Sequence, residues 1–127
     1  MPLKIVHTQS APAAIGPYSQ AIEAGDLVFV SGQLGLDCQT GELVGADLNA
    51  QARQALANLK AILLAAGCAL YQVAAVDVYL ADMEDFAEFN AIYEEVFGAH
   101  KPARAVVAVK GLPKNARIEL KCVASRK

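Results

Sequence analysis

The sequence predicts an α+β domain: one mixed sheet with two helices on one of its faces, in the order βββαβαββ. Three observations carry this reading. A hairpin turn falls at Gly25-Asp26, two stretches of apolar residues recur at helical spacing with a single strand-like run between them, and two more strand-like runs close the chain. One layer of helices covers only one side of a sheet. The other side must be wet or must meet another subunit.

Residues 4–8 read as a short strand, and residues 10–17 as a loop, because Pro12, Gly16 and Pro17 interrupt any regular ladder. Residues 19–24 and 27–31 are the two arms of the hairpin across Gly25-Asp26. Asp47 is placed to cap a helix running to about Ala66, with Leu48, Ala52, Ala55, Leu56, Leu59, Ile62 and Leu63 on its apolar face and Gly67 as the residue that ends it. Gln51, Gln54 and Asn58 are assigned to its other face. Residues 73–80 form the next strand. Asp82 then caps a helix to about Phe97 whose stripe is Phe86, Phe89, Tyr93, Val96 and Phe97, ended by Gly98 and Pro102. The runs 102–109 and 116–123 are the last two strands, joined through the turn 111–115.

At 127 residues the chain is expected to be one domain, residues 1–127, able to bury roughly two-thirds of its unfolded surface without disulfides or a metal. Hydrophobic residues make up 55% and charged residues 19%, a composition that favours some apolar surface being covered by other subunits. A net charge of −2 and an aromatic content of 6% argue against a nucleic-acid partner, which needs a cationic footprint or stacking platforms. Cys38, Cys68 and Cys122 are odd in number and far apart, as reduced thiols would be. The apolar run 61–70 is too short to span a bilayer, so no membrane partner is expected. The expectation is a cytoplasmic protein, or a mitochondrial one if the source is eukaryotic. His7 and His100 accompany no Cys/His cluster, so no metal and no cofactor are expected.

Arg104 interrupts the apolar run 102–109, which otherwise reads as a buried strand neighbouring the run 116–123. A guanidinium that cannot be discharged needs a carboxylate, supplied by the protein or by a ligand. Glu119, in the next strand-like run, is the protein candidate. Alternation places Ile118, Leu120, Cys122 and Ala124 toward the helices and Glu119 toward the uncovered face. Arg104 shares a face with Val106 and Ala108, and in half of the available registers that is the face of Glu119. The two residues are therefore either a structural ion pair or a site.

Pro102-Ala103-Arg104, with the segment from Leu112-Pro113-Lys114 through Ile118-Glu119-Leu120, resembles the signature of the RidA (YjgF) family. Gly16-Pro17-Tyr18-Ser19-Gln20-Ala21 and Ser31-Gly32-Gln33 resemble its other two hallmarks, and the three motifs cover nearly the whole chain in the right order. The resemblance implies a chorismate-mutase-like fold assembled as a homotrimer. It also implies cofactor-free deamination of reactive 2-enamino and 2-imino acids, such as 2-aminoacrylate, to 2-oxo acids and ammonia at clefts between subunits. In that reading Arg104 grips the substrate carboxylate and Glu119 positions the attacking water, with Tyr18, Ser31, Gly32, Asn90 and Val106 as substrate-binding positions. Many family members carry Cys where this chain has Val106, so a thiol is not the nucleophile here.

From the residues alone, Tyr18 suits an interface as well as a binding site, and Asn90 is either a satisfied core amide or a cleft residue. Gly32 would let a ligand approach backbone donors. Some relatives are described as endoribonucleases or chaperones, and those activities remain alternatives, as does a carboxylate-binding module without turnover. The acidic balance and the absence of a His pair count against the nuclease.

Overall fold

The computed structural model describes residues 2–127. Its strands are β1 (Lys4–Val6), β2 (Ala21–Ala24), β3 (Leu27–Gln33), β4 (Val73–Leu80), β5 (Ala103–Ala108) and β6 (Ile118–Ser125), and its helices α1 (Leu48–Ala65) and α2 (Phe86–Phe97). They form a six-stranded sheet in the order β1-β2-β3-β6-β4-β5, antiparallel throughout except for the parallel pair β4–β5 that α2 connects. This is the expected chorismate-mutase-like arrangement.

Local chemistry sets the element boundaries. Gly25 adopts φ +62° in the turn joining β2 to β3, a conformation that costs a glycine little. The Asp47 carboxylate accepts from the Ala50 amide at 3.1 Å at the start of α1, and Gly67 ends it with φ +79°. Asp82 accepts from the Glu84 amide at 2.9 Å and opens a single 3-10 turn that leads into α2. The core lies between the helices and one sheet face. Leu56, Leu59, Ile62 and Leu63 of α1 and Phe89 of α2 meet Val76, Val78, Leu80, Ile118 and Leu120, all essentially inaccessible. Truncating Phe89 in such a packing typically costs about 3–5 kcal/mol.

The opposite sheet face carries Ile5, Leu27, Phe29 and Val107, all exposed. Among the described residues no helix is long and apolar enough to cross a membrane.

Two expectations need correction. Gln51 and Asn58 are not on a solvent face, since each is only 1% exposed. Gln51 donates to the Gly45 carbonyl at 2.8 Å and accepts from the Arg117 amide at 2.8 Å. Asn58 donates to the carbonyls of Leu34 and Leu36 at 3.1 and 3.0 Å. The two amides satisfy backbone groups of the chain crossing from β3 to α1, and a buried group left unpaired there would cost about 1–3 kcal/mol.

The second correction concerns the last two strands, which are not neighbours. The crossover through α1 leaves a gap between β3 and β4; β6 fills it, and β5 is pushed to the sheet edge. The run 102–109 is therefore largely exposed rather than buried.

Candidate active site

The sheet register decides where the two charged residues point. Arg104 is the Cα partner of Val76, and Val76 is the partner of Cys122, so all three face the helices. Glu119 is the partner of Tyr79 and lies three residues from Cys122, so it faces the other way. One strand separates the two residues, and they project from opposite faces of one sheet. An Arg104–Glu119 ion pair within one chain is excluded.

Arg104 lies over an aromatic shelf on α2. Its guanidinium carbon is 4.8 Å from the centroid of the Tyr93 ring and 5.8 Å from those of Phe86 and Phe89. The Tyr93 ring in turn stacks on Phe97 at 4.6 Å. Asn90 accepts one N–H of Arg104 at 2.8 Å and is itself exposed, which removes the core reading of that amide. Among the described residues no carboxylate lies within ion-pair distance of Arg104. A guanidinium has five N–H donors, so a planar fork remains available beside a cleft of about 270 Å³ lined by Asn90, Tyr93, Phe97, Lys101 and Arg104. Val106 shares the face of Arg104, and its half-buried side chain packs against the core.

Glu119 lines a second cleft, of about 390 Å³, with Tyr18, Ser31, Gly32 and the apolar side chains of Ile15, Leu34 and Leu36. Partial burial, the one influence acting on it, raises the proton affinity of its carboxyl above that of an ordinary glutamate. Tyr18 is 48% exposed at the mouth of this cleft, its hydroxyl accepting from the Ile15 amide at 3.4 Å. The Ser31 hydroxyl donates to the Ser19 carbonyl at 2.6 Å, which fastens β3 to the Tyr18 loop.

The expected site residues thus separate into two groups. Arg104, Asn90 and Val106 stand on the helix side; Glu119, Tyr18, Ser31 and Gly32 stand on the other. The role of Gln20 was not anticipated. It is 2% exposed, its amide nitrogen donates to the carbonyls of Thr8, Ala11 and Pro12, and its oxygen accepts from the Thr8 amide at 2.7 Å. One side chain therefore pins the loop that forms a wall of the Glu119 cleft. An available signal was its place within the motif Gly16-Pro17-Tyr18-Ser19-Gln20-Ala21. Gln20→Leu is expected to lower the melting temperature by several degrees. Thermal melts check this, and a melting temperature within a degree of wild type would contradict it.

The chain matches the family described as endoribonuclease L-PSP over residues 8–126, and it belongs to that family, the one the motifs resemble as RidA (YjgF). It is 51% identical over 121 residues to a RutC family protein of Pyrococcus horikoshii, covering 95% of this chain and 96% of the relative. It is 46% identical over 121 residues to the 2-iminobutanoate/2-iminopropanoate deaminase of Mus musculus, covering 95% and 90%. Among solved structures, E. coli TdcF with bound serine superposes with a TM-score of 0.93 at 42% identity, covering 98% of this chain and 99% of that one.

Proposed function

We propose that this protein hydrolyses reactive 2-imino acids, and the enamines in equilibrium with them, to 2-oxo acids and ammonia. The site is assembled from the Arg104 cleft of one subunit and the Glu119 cleft of the next in a homotrimer. One observation carries this reading: a guanidinium without a carboxylate partner and a half-buried carboxylate project from opposite faces of the same sheet. A two-fold contact through the open face would bring two Glu119 surfaces together. A cyclic, head-to-tail contact sets the Arg104 side of one copy against the Glu119 side of the next, and a trimer is the smallest ring that such a contact closes. The exposed apolar residues of the open face and the deaminase name of the murine relative support the reading. So does serine, an α-amino acid, bound in the E. coli relative.

The chemistry follows from the two groups. Arg104 holds the substrate carboxylate through two parallel N–H donors, which fixes C2 of the iminium opposite Glu119. The Glu119 carboxylate takes a proton from water as the water oxygen bonds to C2, giving a carbinolamine. The protonated Glu119 then returns that proton to the amino nitrogen. The C–N bond breaks, the electrons of the hydroxyl oxygen form the C=O bond, and ammonia leaves with the hydroxyl proton as ammonium. A carboxyl with raised proton affinity suits both halves of this exchange.

The test generates 2-iminobutanoate in situ with an amino-acid oxidase and follows 2-oxobutanoate, alongside sedimentation equilibrium at micromolar protein. Faster 2-oxo acid release by a trimer is expected. A stable monomer that accelerates imine hydrolysis would overturn the composite site. RNA cleavage without imine turnover would overturn the reaction itself.

A further inference from the structure

We infer that Gly32 is a positioning residue for Glu119: the side chain it lacks is the space into which the Glu119 carboxylate folds. This rests on the reading of Glu119 given above and changes what the glycine is for. A Cβ built at Gly32 would lie 2.1 Å from Glu119 Oε2, 2.9 Å from its Cδ and 3.3 Å from its Cγ, so the carboxylate end of that side chain could not stay where it is. The atoms nearest that position belong to the Glu119 side chain. Backbone conformation does not call for a glycine here, because Gly32 lacks the positive φ seen at Gly25, Gly41, Gly67 and Gly98.

The local ladder explains why the carboxylate arrives at this point. Val30 pairs with Cys122 and Gln33 with Leu120, so Ser31 and Gly32 together oppose Lys121, a bulge in β3. Bulges bend a strand and re-aim side chains, and this one lies beside the cleft. The bare backbone at Gly32 lets Glu119 lean across from β6 toward β3. Two cavities meet there: the cleft of about 390 Å³, and a concavity of about 310 Å³ lined by Tyr79, Val109, Leu112 and Lys121. Gly32 and Glu119 are the residues they have in common. A methyl group at position 32 would push the carboxylate off the β3 backbone, and the second cavity offers it space beside Lys121. The titratable and charged groups facing Glu119 are Tyr18 from the loop, Tyr79 from β4 and Lys121 from β6. Displacement toward Lys121 and solvent favours the ionised form.

A double-mutant cycle on stability tests the contact without reference to the reaction. The end of the Glu119 side chain can swing aside, so the test is the coupling: Gly32→Ala should be less favourable to the melting temperature in the wild type than in a Glu119→Ala background. An equal cost in both backgrounds, or a double variant that fails to fold, would show that the glycine serves something other than Glu119 and would overturn the inference. The carboxyl 13C resonance of Glu119, identified by its loss in Glu119→Gln, should titrate at lower pH in Gly32→Ala than in the wild type. Turnover of 2-iminobutanoate by Gly32→Ala should fall at least tenfold, with affinity for 2-oxobutanoate changed less than threefold. An unshifted titration together with wild-type kcat would sink the inference while leaving the role of Glu119 intact. A Glu119→Gln enzyme with full turnover would sink the role of Glu119 instead, and the stability cycle would still judge the contact.

Discussion

Mixed trimers that contain both Arg104→Lys and Glu119→Gln subunits are expected to recover about a third of wild-type turnover, although each variant alone is severely impaired. The expectation follows from the register. Arg104 faces α2 and Glu119 faces the open side of the sheet, so no single chain can present both to one substrate. If each site draws Arg104 from one subunit and Glu119 from its neighbour, a site is intact when a Glu119→Gln subunit supplies the arginine and an Arg104→Lys subunit supplies the glutamate. In a cyclic trimer of either mixed composition that ordered pair occurs at about one site in three. Arg104→Lys alone keeps the charge but loses the planar fork. It should therefore weaken 2-oxo acid binding by about 1.5–3 kcal/mol, roughly ten- to a hundredfold. Co-expression with two affinity tags isolates the mixed trimers, and the 2-oxo acid assay reads them. Activity no higher than the mean of the two parent variants would place both residues in one site of one chain, or remove one of them from the chemistry.

Much of the architecture was legible because its determinants are local. The β4 boundaries, the hairpin at Gly25-Asp26 and the Asp47 cap depend on residues within a few positions of one another, and each stands where the pattern put it. The sides taken by Arg104 and Glu119 were not legible in the same way. Each alternation is readable within its own strand, but relating the two requires knowing that β6 inserts between β3 and β4, a long-range pairing with no local signal. Gln51 and Asn58 illustrate a different gap. They repeat at a spacing of seven on one side of α1, which reads as a solvated polar row, whereas their partners are carbonyls and an amide of distant backbone. The need of those backbone groups for a hydrogen-bond partner cannot be seen until the chain is folded over the helix. The apolar residues flanking Arg104 imply a buried charge, but they furnish the surface of an edge strand, and the guanidinium rests on α2 rather than inside the core.

Glu119→Gln should abolish most turnover while leaving the protein at least as stable as the wild type at neutral pH. Burial raises the folded-state pKa of Glu119 above its unfolded value, so the folded chain binds more protons than the unfolded chain between those two values. The sign is then fixed. The group favours folding most at pH below its unfolded pKa, and this contribution is lost as pH rises through the folded pKa, leaving an ionised carboxylate in a partly apolar cleft. Glutamine has the same shape without that charge, so its melting temperature should equal or exceed the wild-type value at pH 7 and the difference should shrink toward pH 4. Turnover moves in the opposite sense. Only the ionised carboxylate can take a proton from water, so wild-type kcat/KM should rise with pH along a limb displaced above the ordinary glutamate range. In Glu119→Gln that limb should vanish, and the rate should fall by about 10²–10⁴. Binding of 2-oxobutanoate, held chiefly by Arg104, should persist within a few-fold. Calorimetry, melts across pH 4–8 and the pH–rate profile separate this from a structural role. A variant that loses stability and ligand affinity together would mean that the carboxylate supports the fold of the cleft rather than the reaction in it.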